Sequence, residues 1–536
     1  MKVLAVSLLR IGDLLMHMEA LRAYLHENPS AEIHLLLNDS SMSLRSILGE
    51  SVQKVIVFPR KELQEILVEQ NRSLWAAFRQ TQALVTQLNN EKYDVVLNLT
   101  HNLLSARLID LIQAPIKKGA YFVNGKARPA DCQWGVYFND IHSGAHQAPF
   151  HYLDGLARSL DIGLTMNQNG QARGSRYICL QVLTSDAKKN WSMNKFSQLA
   201  AELKEFYPEY TFVVLAAPFE KDIVQSKDFP AGVEVRYATW VELVKILQDT
   251  RLLITGDTSV QHLAAQMNVQ MLSLFMGSAN VTKTGPRSVQ SYVVTPSVSC
   301  YPCSHHQSCP QSTLKCENQI QVHDVVSLAK AMLNDQAYLP QNQNLHYYQV
   351  QNRNNFYFIQ GLGEEKMTTL EREIKQITWQ FYLDHEYENP IPPYGTAIRT
   401  IMQNTDLDEI SDASMNLKIE QFETALMWLE SLDEAAQKSV RLCFRENNDQ
   451  ISEIQRKILE TYKQFTTANR IDHEYIQVIH NALTEQHKTA FGFIRKLKSS
   501  IKEGMQLIQI DLKITKDLLN AKKERGSYVS RARELS

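Results

Sequence analysis

Four turns between apolar runs carry side chains able to do chemistry. In "VSLLRIGDLLMHMEALRAYL", residues 6–25, Asp13 stands where a strand gives way to a helix. A carboxylate there can cap the helix, satisfying free N–H groups and the positive end of the dipole. At the lip of a cleft it can instead take a proton from an incoming hydroxyl, as a general base does. In "LLITGDTSVQHLAAQMNVQMLSLFMGS", residues 252–278, Asp257, Thr258 and Ser259 cluster at the end of a strand and the start of a helix. Unpaired backbone N–H groups and small hydroxyls suit a phosphate, and His262 lies one helical turn further on. The alternative is a capped helix with a satisfied histidine. Gly277 ends the next strand, and "TKTGP" at 282–286 reads as a tight turn that brings backbone close to a ligand. Lys188 and Lys189 in "QVLTSDAKKNWSMNKF" can neutralise a departing phosphate or merely be solvated. Glu220, just past "FVVLAA", can accept hydroxyls from a ribose or a base edge, or simply start a helix on the surface.

A separate cluster is built from thiols. "SCYPCSHHQSCPQSTLKC" spaces Cys300, Cys303, Cys309 and Cys316 as C-x2-C-x5-C-x6-C, four of the seven cysteines in the chain. In a reducing compartment this suggests a structural tetrahedral zinc or iron site before a disulfide framework, with reduced free thiols as the alternative. His305 and His306 are possible substitutes for one ligand.

These turns need rigid elements behind them. From residue 1 to about 161, strand-length apolar runs ("KVLAVSLL", "AEIHLLL", "KVIVF", "YDVVLNL") alternate with helical patterns, the signature of βαβ units and a parallel sheet. After a polar, glycine-bearing linker at 163–176, a second series follows: "RYICLQVL", "YTFVVLAA", "GVEVRY", "RLLITGD" and "VQMLSLFMG". Two doubly wound domains enclose a cleft, and such sheets bind ligands beyond the carboxyl ends of their strands. Beyond 363 the chain reads as helical. Ile451, Ile454, Ile458, Tyr462 and Phe465 share one helical face, and Ile494, Leu497, Ile501, Met505, Ile508 and Leu512 alternate steps of three and four. The domain expectation is 1–162, an N-terminal Rossmann-like domain; 163–340, a second one with the cysteine loop 300–316; 341–362, a linker; 363–525, a helical bundle or coiled coil; and 526–536, a flexible tail.

At 536 residues the chain exceeds a single hydrophobic core. A net charge of −2 argues against a surface built to grip nucleic acid. The N-terminal apolar run is broken by Arg10 and Asp13 before a signal-peptide core forms, and no run approaches the roughly twenty apolar residues of a membrane span. The expected location is cytoplasmic, with any contact to the inner membrane peripheral.

Taken in order, "SLLRIGD", "KNW", the glutamate after the next strand, "DTSVQHLAA" and the later "TGP" resemble the motifs of glycosyltransferase family 9, the ADP-heptose heptosyltransferases of lipopolysaccharide synthesis. The resemblance covers roughly residues 1–330 and implies a GT-B fold with an acceptor-binding N-terminal domain and a nucleotide-sugar-binding C-terminal one. It implies Asp13 as catalytic base and Lys189 as the lysine that holds the donor diphosphate. Glu220 would lie near the nucleoside, and Asp257, Thr258 and Ser259 would form the sugar and phosphate loop with His262 behind it. Transfer would be inverting, from ADP-heptose to a lipopolysaccharide core sugar or related glycan, with no cofactor required. Autotransporter-modifying members imply a protein acceptor as an alternative and hold an iron on similar cysteines. Family members usually have glycine where this chain has Ser259, and the helical extension is not part of an ordinary member. That extension would fix oligomeric state, bind a partner or accompany an unusual acceptor; a GT-B-like scaffold without activity is the rival from another class.

Overall fold

A computed structural model describes residues 1–68, 74–123, 125–127, 132–142, 148–166, 175–289, 291–305, 307–363, 366–384, 401–402, 404–443, 456, 479 and 490–534. The chain divides into two compact units: 1–131 with 150–363, and 132–149 with 364–536.

The first unit holds two doubly wound sheets, as a GT-B fold requires. The first sheet consists of β1 (Lys2–Ser7), β2 (Glu32–Asn38), β3 (Lys54–Phe58), β4 (Val95–Asn98) and β5 (Ile116–Lys118), in the order β3-β2-β1-β4-β5. All four pairings are parallel. Val3 to Val6 are fully buried, because helices cover both faces of a parallel sheet and leave no side for polar residues. A two-stranded ribbon, β6 (Phe122–Val123) and β7 (Lys126–Ala127), follows. The second sheet consists of β8 (Tyr177–Gln181), β9 (Thr211–Ala216), β10 (Val233–Tyr237), β11 (Thr250–Thr255), β12 (Met271–Leu274), β13 (Tyr292–Pro296), β14 (Leu345–Arg353) and β15 (Phe356–Gly361). Its order is β10-β9-β8-β11-β12-β13-β14-β15, parallel up to β13 and antiparallel beyond.

Strand order fixes where ligands go. The chain runs outward from β1 in one direction to β3 and returns to continue through β4. It does the same from β8 to β10 before continuing through β11. Each reversal opens a crevice at the carboxyl ends of the central strands. Asp13 follows β1, Lys189 follows β8 and Asp257 follows β11, so the chemistry-bearing turns lie at the two switch points.

Three expectations are corrected. Residues 341–362 are not a linker, because 345–361 form a β-hairpin that extends the second sheet. Asn354 and Asn355 both have positive φ, 54° and 66°, and asparagine tolerates the left-handed geometry that a two-residue hairpin turn demands. Leu345, Tyr347, Val350, Tyr357 and Ile359 supply the buried side that the polar spelling conceals. Residues 132–149 do not belong with 1–162; they join the helical unit. There Trp134 Nε1 donates to Asp384 Oδ1 at 2.8 Å and Tyr137 packs on buried Trp379, ring centroids 5.3 Å apart. The tail is not set apart from the helical region: the helix Ala490–Glu534 runs through 526–534.

In the helical unit, Lys366–Asp384, Asp412–Cys443 and Ala490–Glu534 are the long helices among the described residues. Leu370, Ile374, Met415, Ile514 and Leu518 belong to one core. Leu497, Ile501 and Ile508 are buried as their spacing requires, and Met505 and Leu512 half-buried. The side chain of Ile494 and the face from Ile451 to Phe465 lie outside the described residues. Of the earlier linker at 163–176, Leu164 and Met166 are buried in the first unit and 167–174 lie outside the described residues.

Candidate active site

Asp13 is not the N-cap of its helix. The helix spans Ile11–Glu27, Arg10 is the N-cap in extended geometry, and Asp13 is the third helical residue. Its Oδ2 accepts the Arg10 backbone N–H at 3.1 Å, which fixes the carboxylate over the first turn. Burial pushes the Asp13 carboxyl above its ordinary range, and the charge of Asp257 adds to this. The Arg10 N–H, the Arg10 guanidinium and Lys189 oppose it. Asp13 therefore already feels the side chains of the second switch point.

That second site is built around a buried ion pair. Lys189 Nζ lies 3.1 Å from Asp257 Oδ2 and also donates to the Asp257 carbonyl at 3.2 Å, with both side chains under a tenth exposed. On the other carboxylate oxygen, His262 Nε2 stands 3.8 Å from Oδ1. Burial lowers the pKa of His262 despite the pull of Asp257, and Lys189 lowers it further, so the imidazole is neutral near pH 7. Thr258 caps the helix Ser259–Gln266, its side chain accepting the Gln261 N–H at 3.3 Å; Ser259 is the first helical residue. The capped-helix reading of this turn is thus correct as far as it goes, and it leaves the remaining N–H groups of the first turn as an anion site.

The two switch points meet. A Cβ on Gly12 would stand 3.3 Å from His262 Cδ2 and 3.9 Å from the Ser259 Cα, so the first turns of the two helices abut with only a hydrogen at residue 12 between them. This close approach leaves little room for a side chain beside Asp13.

Other expected residues take different places. Gly277 has φ +60°, and a Cβ there would collide with the Lys188 carbonyl. Its own carbonyl accepts the Cys303 N–H at 2.9 Å. It packs one turn on another, and that packing together with the positive φ calls for glycine. In the "TKTGP" turn, Gly285 similarly leaves room for the Tyr357 hydroxyl. Lys188 parts company with Lys189: its Nζ donates to the carbonyls of Ser304 at 3.0 Å and Gln307 at 2.6 Å, anchoring the cysteine loop. Glu220 sits at the carboxyl end of β9, half-buried, its Oε2 accepting the Ala217 N–H at 2.7 Å.

Cys300, Cys303, Cys309 and Cys316 line one cavity of about 30 Å³ together with Lys188 and Gly277. No disulfide joins them. Among the described residues no three His, Cys, Asp or Glu side chains stand close enough together to hold an ion, so the expected metal centre is not formed in this geometry. Burial raises the pKa of Cys303 and Cys316, while the Lys188 charge lowers that of Cys303 and backbone N–H groups of Gly277 and Glu317 lower that of Cys316. His306 lies outside the described residues.

Sequence reasoning missed a buried cross-link in the same unit. Arg287, directly after "TGP", places Nη1 2.5 Å from Asp154 Oδ1 and Nε 3.1 Å from Glu19 Oε1, with Asp154 also accepting the Tyr357 N–H at 3.1 Å. An arginine following a Gly-Pro turn was the available signal; its partners are 133 and 268 residues away in sequence.

Residues 152–313 match the family model described as Glycosyltransferase family 9 (heptosyltransferase). This segment belongs to glycosyltransferase family 9. Lipopolysaccharide heptosyltransferase 3 of Escherichia coli K12 is 21% identical over 300 residues, 50% of this chain and 81% of that protein. Among solved structures, a family 9 glycosyltransferase from Veillonella parvula shares 16% identity with a TM-score of 0.46, over 62% of this chain and 97% of its own. The E. coli heptosyltransferase WaaC with ADP shares 17% with a TM-score of 0.45, over 62% of this chain and all of its own (100%). The family 9 segment contains Lys189, Glu220, Asp257, Thr258, Ser259, His262 and Gly277; Asp13 and Cys316 lie outside it.

Proposed function

We propose that this chain is an inverting glycosyltransferase that moves a heptose from ADP-heptose to a lipopolysaccharide core sugar or a related glycan. The observation that carries the reading is the meeting of Asp13 with the buried Lys189–Asp257 pair through the Gly12–His262 contact. The acceptor O–H bond breaks and its proton passes to Asp13 while the oxygen bonds to the anomeric carbon. The bond from that carbon to the diphosphate breaks with its electron pair, and ADP leaves toward Lys189 and the helix start at Thr258 and Ser259. Asp257 and His262 would orient the sugar and the lysine, and Glu220 would take the nucleoside hydroxyls. Lysine and helix dipole carry the leaving charge, so the step requires no cofactor.

The test is ADP release from ADP-heptose, ADP-glucose and a UDP-sugar, each with deacylated inner-core oligosaccharide as acceptor. The reading expects turnover with ADP-heptose alone; turnover only with another nucleotide sugar would remove the donor assignment.

We also propose that Cys300, Cys303, Cys309 and Cys316 bind a structural zinc or iron ion. Support comes from their spacing, their shared cavity and the N–H groups directed at Cys316. The four sulfurs would have to draw together to ligate. Metal analysis of purified protein should find about one ion per chain and a loss in Cys303→Ser; equal, negligible metal in both would contradict the site.

No helix among the described residues is long and apolar enough to cross a membrane. A glycolipid acceptor would bring the enzyme to the cytoplasmic face of the inner membrane peripherally, and the helical unit would serve oligomerisation or a partner. Such an enzyme has no role for nucleic acid.

A further inference from the structure

The helix that carries Asp13 and the helix that follows Asp257 lie side by side, and polar side chains join them along the seam. On the helix Ile11–Glu27, Gly12, Leu15, Glu19 and Arg22 recur at steps of three, four and three, so they share one face. On the helix Ser259–Gln266, Ser259, His262 and Gln266 do the same. Every member of the first row meets the donor side of the unit. Gly12 lies against His262, Gln266 Nε2 donates to the Leu15 carbonyl, Arg22 donates to Gln266 Oε1, and Glu19 Oε1 accepts from Arg287 Nε at 3.1 Å.

The last of these contacts is the one that burial makes demanding. The Arg287 side chain is 2% exposed, and a guanidinium keeps its charge, so carboxylates must surround it. Asp154, equally buried, stands 2.5 Å from Nη1 and also accepts the Tyr357 N–H at 3.1 Å, which ties it to the second sheet. The turn before Arg287 is fixed on the same side. Gln261 Nε2, on the helix Ser259–Gln266, donates to the Thr284 carbonyl at 3.0 Å, and His151 Nε2 lies 3.1 Å from the Gly285 carbonyl. Asp154 alone balances the guanidinium charge. What Glu19 adds is a bond from this anchored arginine to the helix of Asp13. Displacing that helix by about 1 Å would take the carboxylate out of register with the Lys189–Asp257 pair, and misplacement on that scale can cost about a hundredfold in rate.

We propose that Arg287 is a positioning residue for the transfer: through Glu19 it clamps the helix Ile11–Glu27 to the donor side and so holds Asp13 within reach of the Lys189–Asp257 pair. It touches no reacting atom. The inference rests on the reading of Asp13 as base and names the contact that keeps base and donor site in register.

The experiment uses the full chain with ADP-heptose and deacylated inner-core oligosaccharide. Glu19→Ala cuts the clamp and leaves the Arg287–Asp154 pair whole. It should lower kcat about tenfold, the scale set by one hydrogen bond between charged groups, with the dissociation constant for ADP within about twofold of wild type. Glu19→Gln, which keeps an acceptor for Nε, should stay within about threefold of wild type. Added to Asp13→Asn, Glu19→Ala should cost less than about twofold more, because the clamp acts through a carboxylate that is no longer there. Amide hydrogen exchange in the helix Ile11–Glu27 should rise in Glu19→Ala while that of β8 and β11 stays as in wild type. Four results would each overturn the proposal: unchanged kcat in Glu19→Ala, the full tenfold loss on top of Asp13→Asn, unchanged exchange in the helix, or exchange rising equally in β8 and β11. A wild type inert with this pair overturns the functional reading and this proposal with it; an active wild type with any of those four results overturns the proposal alone.

Discussion

As the proposed base, Asp13 would accept a proton from a position where a carboxylate resists ionisation. Its proximity to Asp257 and its burial both favour the protonated form, while the Arg10 N–H holds the ionised form in place. Two consequences follow with opposite signs for rate and stability. Catalysis needs the carboxylate, so kcat/KM falls on the acid side through a pKa above the ordinary 3.8, and a limb at or below 3.8 would contradict the account. Burial lowers the pKa of His262, so any step it contributes lies on the acid side of an ordinary histidine. Stability runs the other way: a folded pKa above the unfolded one means the native state binds the proton more readily. The ionised group is therefore a cost present above the folded pKa and relieved as pH falls through it. Residue types at the strand-to-helix turns were enough to mark Asp13, the pair Lys188 and Lys189, Asp257 and, one helical turn on, His262 as candidates. They could not single out Arg287, which reaches Glu19 across 268 positions, nor separate Lys188 from Lys189, whose side chains leave adjacent residues for different partners.

The elements read clearly where one period dominates. β3 is the run "KVIVF" itself, and β1, β8, β9 and β11 fall inside apolar runs because strands covered on both faces need continuous apolar sequence. The hairpin 345–361 defeated the same rule. In β14 the buried side chains are interrupted by half-exposed glutamines and an asparagine that make it look like a linker, and β15 buries only the short run Phe356 to Ile359 behind that polar text. Likewise β5, three residues long with two lysines, has too little apolar content to stand out. The N-cap was misplaced by three residues, since Arg10 has no capping side chain of the usual kind and Asp13 reaches back to its N–H from the first turn. At Gly277, the end of a strand in the sequence, the bare Cα admits the Lys188 carbonyl, a contact the sequence does not show.

At the scale of the molecule, the first unit is one device and the helical unit another. Two doubly wound sheets bring their switch-point helices side by side, with Gly12 against His262 and Leu15 against Gln266, so that Asp13 lies within electrostatic reach of the Lys189–Asp257 pair. The partition between units was legible as a change from alternating strands to long helical periods, but not the capture of 132–149 by the helices, which depends on Trp134 finding Asp384 some 250 residues later. The central claim, that Asp13 is the base of a heptosyl transfer, is tested most directly by the Asp13→Asn variant, which keeps an oxygen for the Arg10 N–H and removes the proton acceptor. Steady-state rates with ADP-heptose and deacylated inner-core oligosaccharide are measured alongside donor affinity. The account predicts kcat lower by about a hundredfold or more, with the ADP-heptose dissociation constant within about threefold of wild type. An Asp13→Asn enzyme turning over within about tenfold of wild type would contradict it.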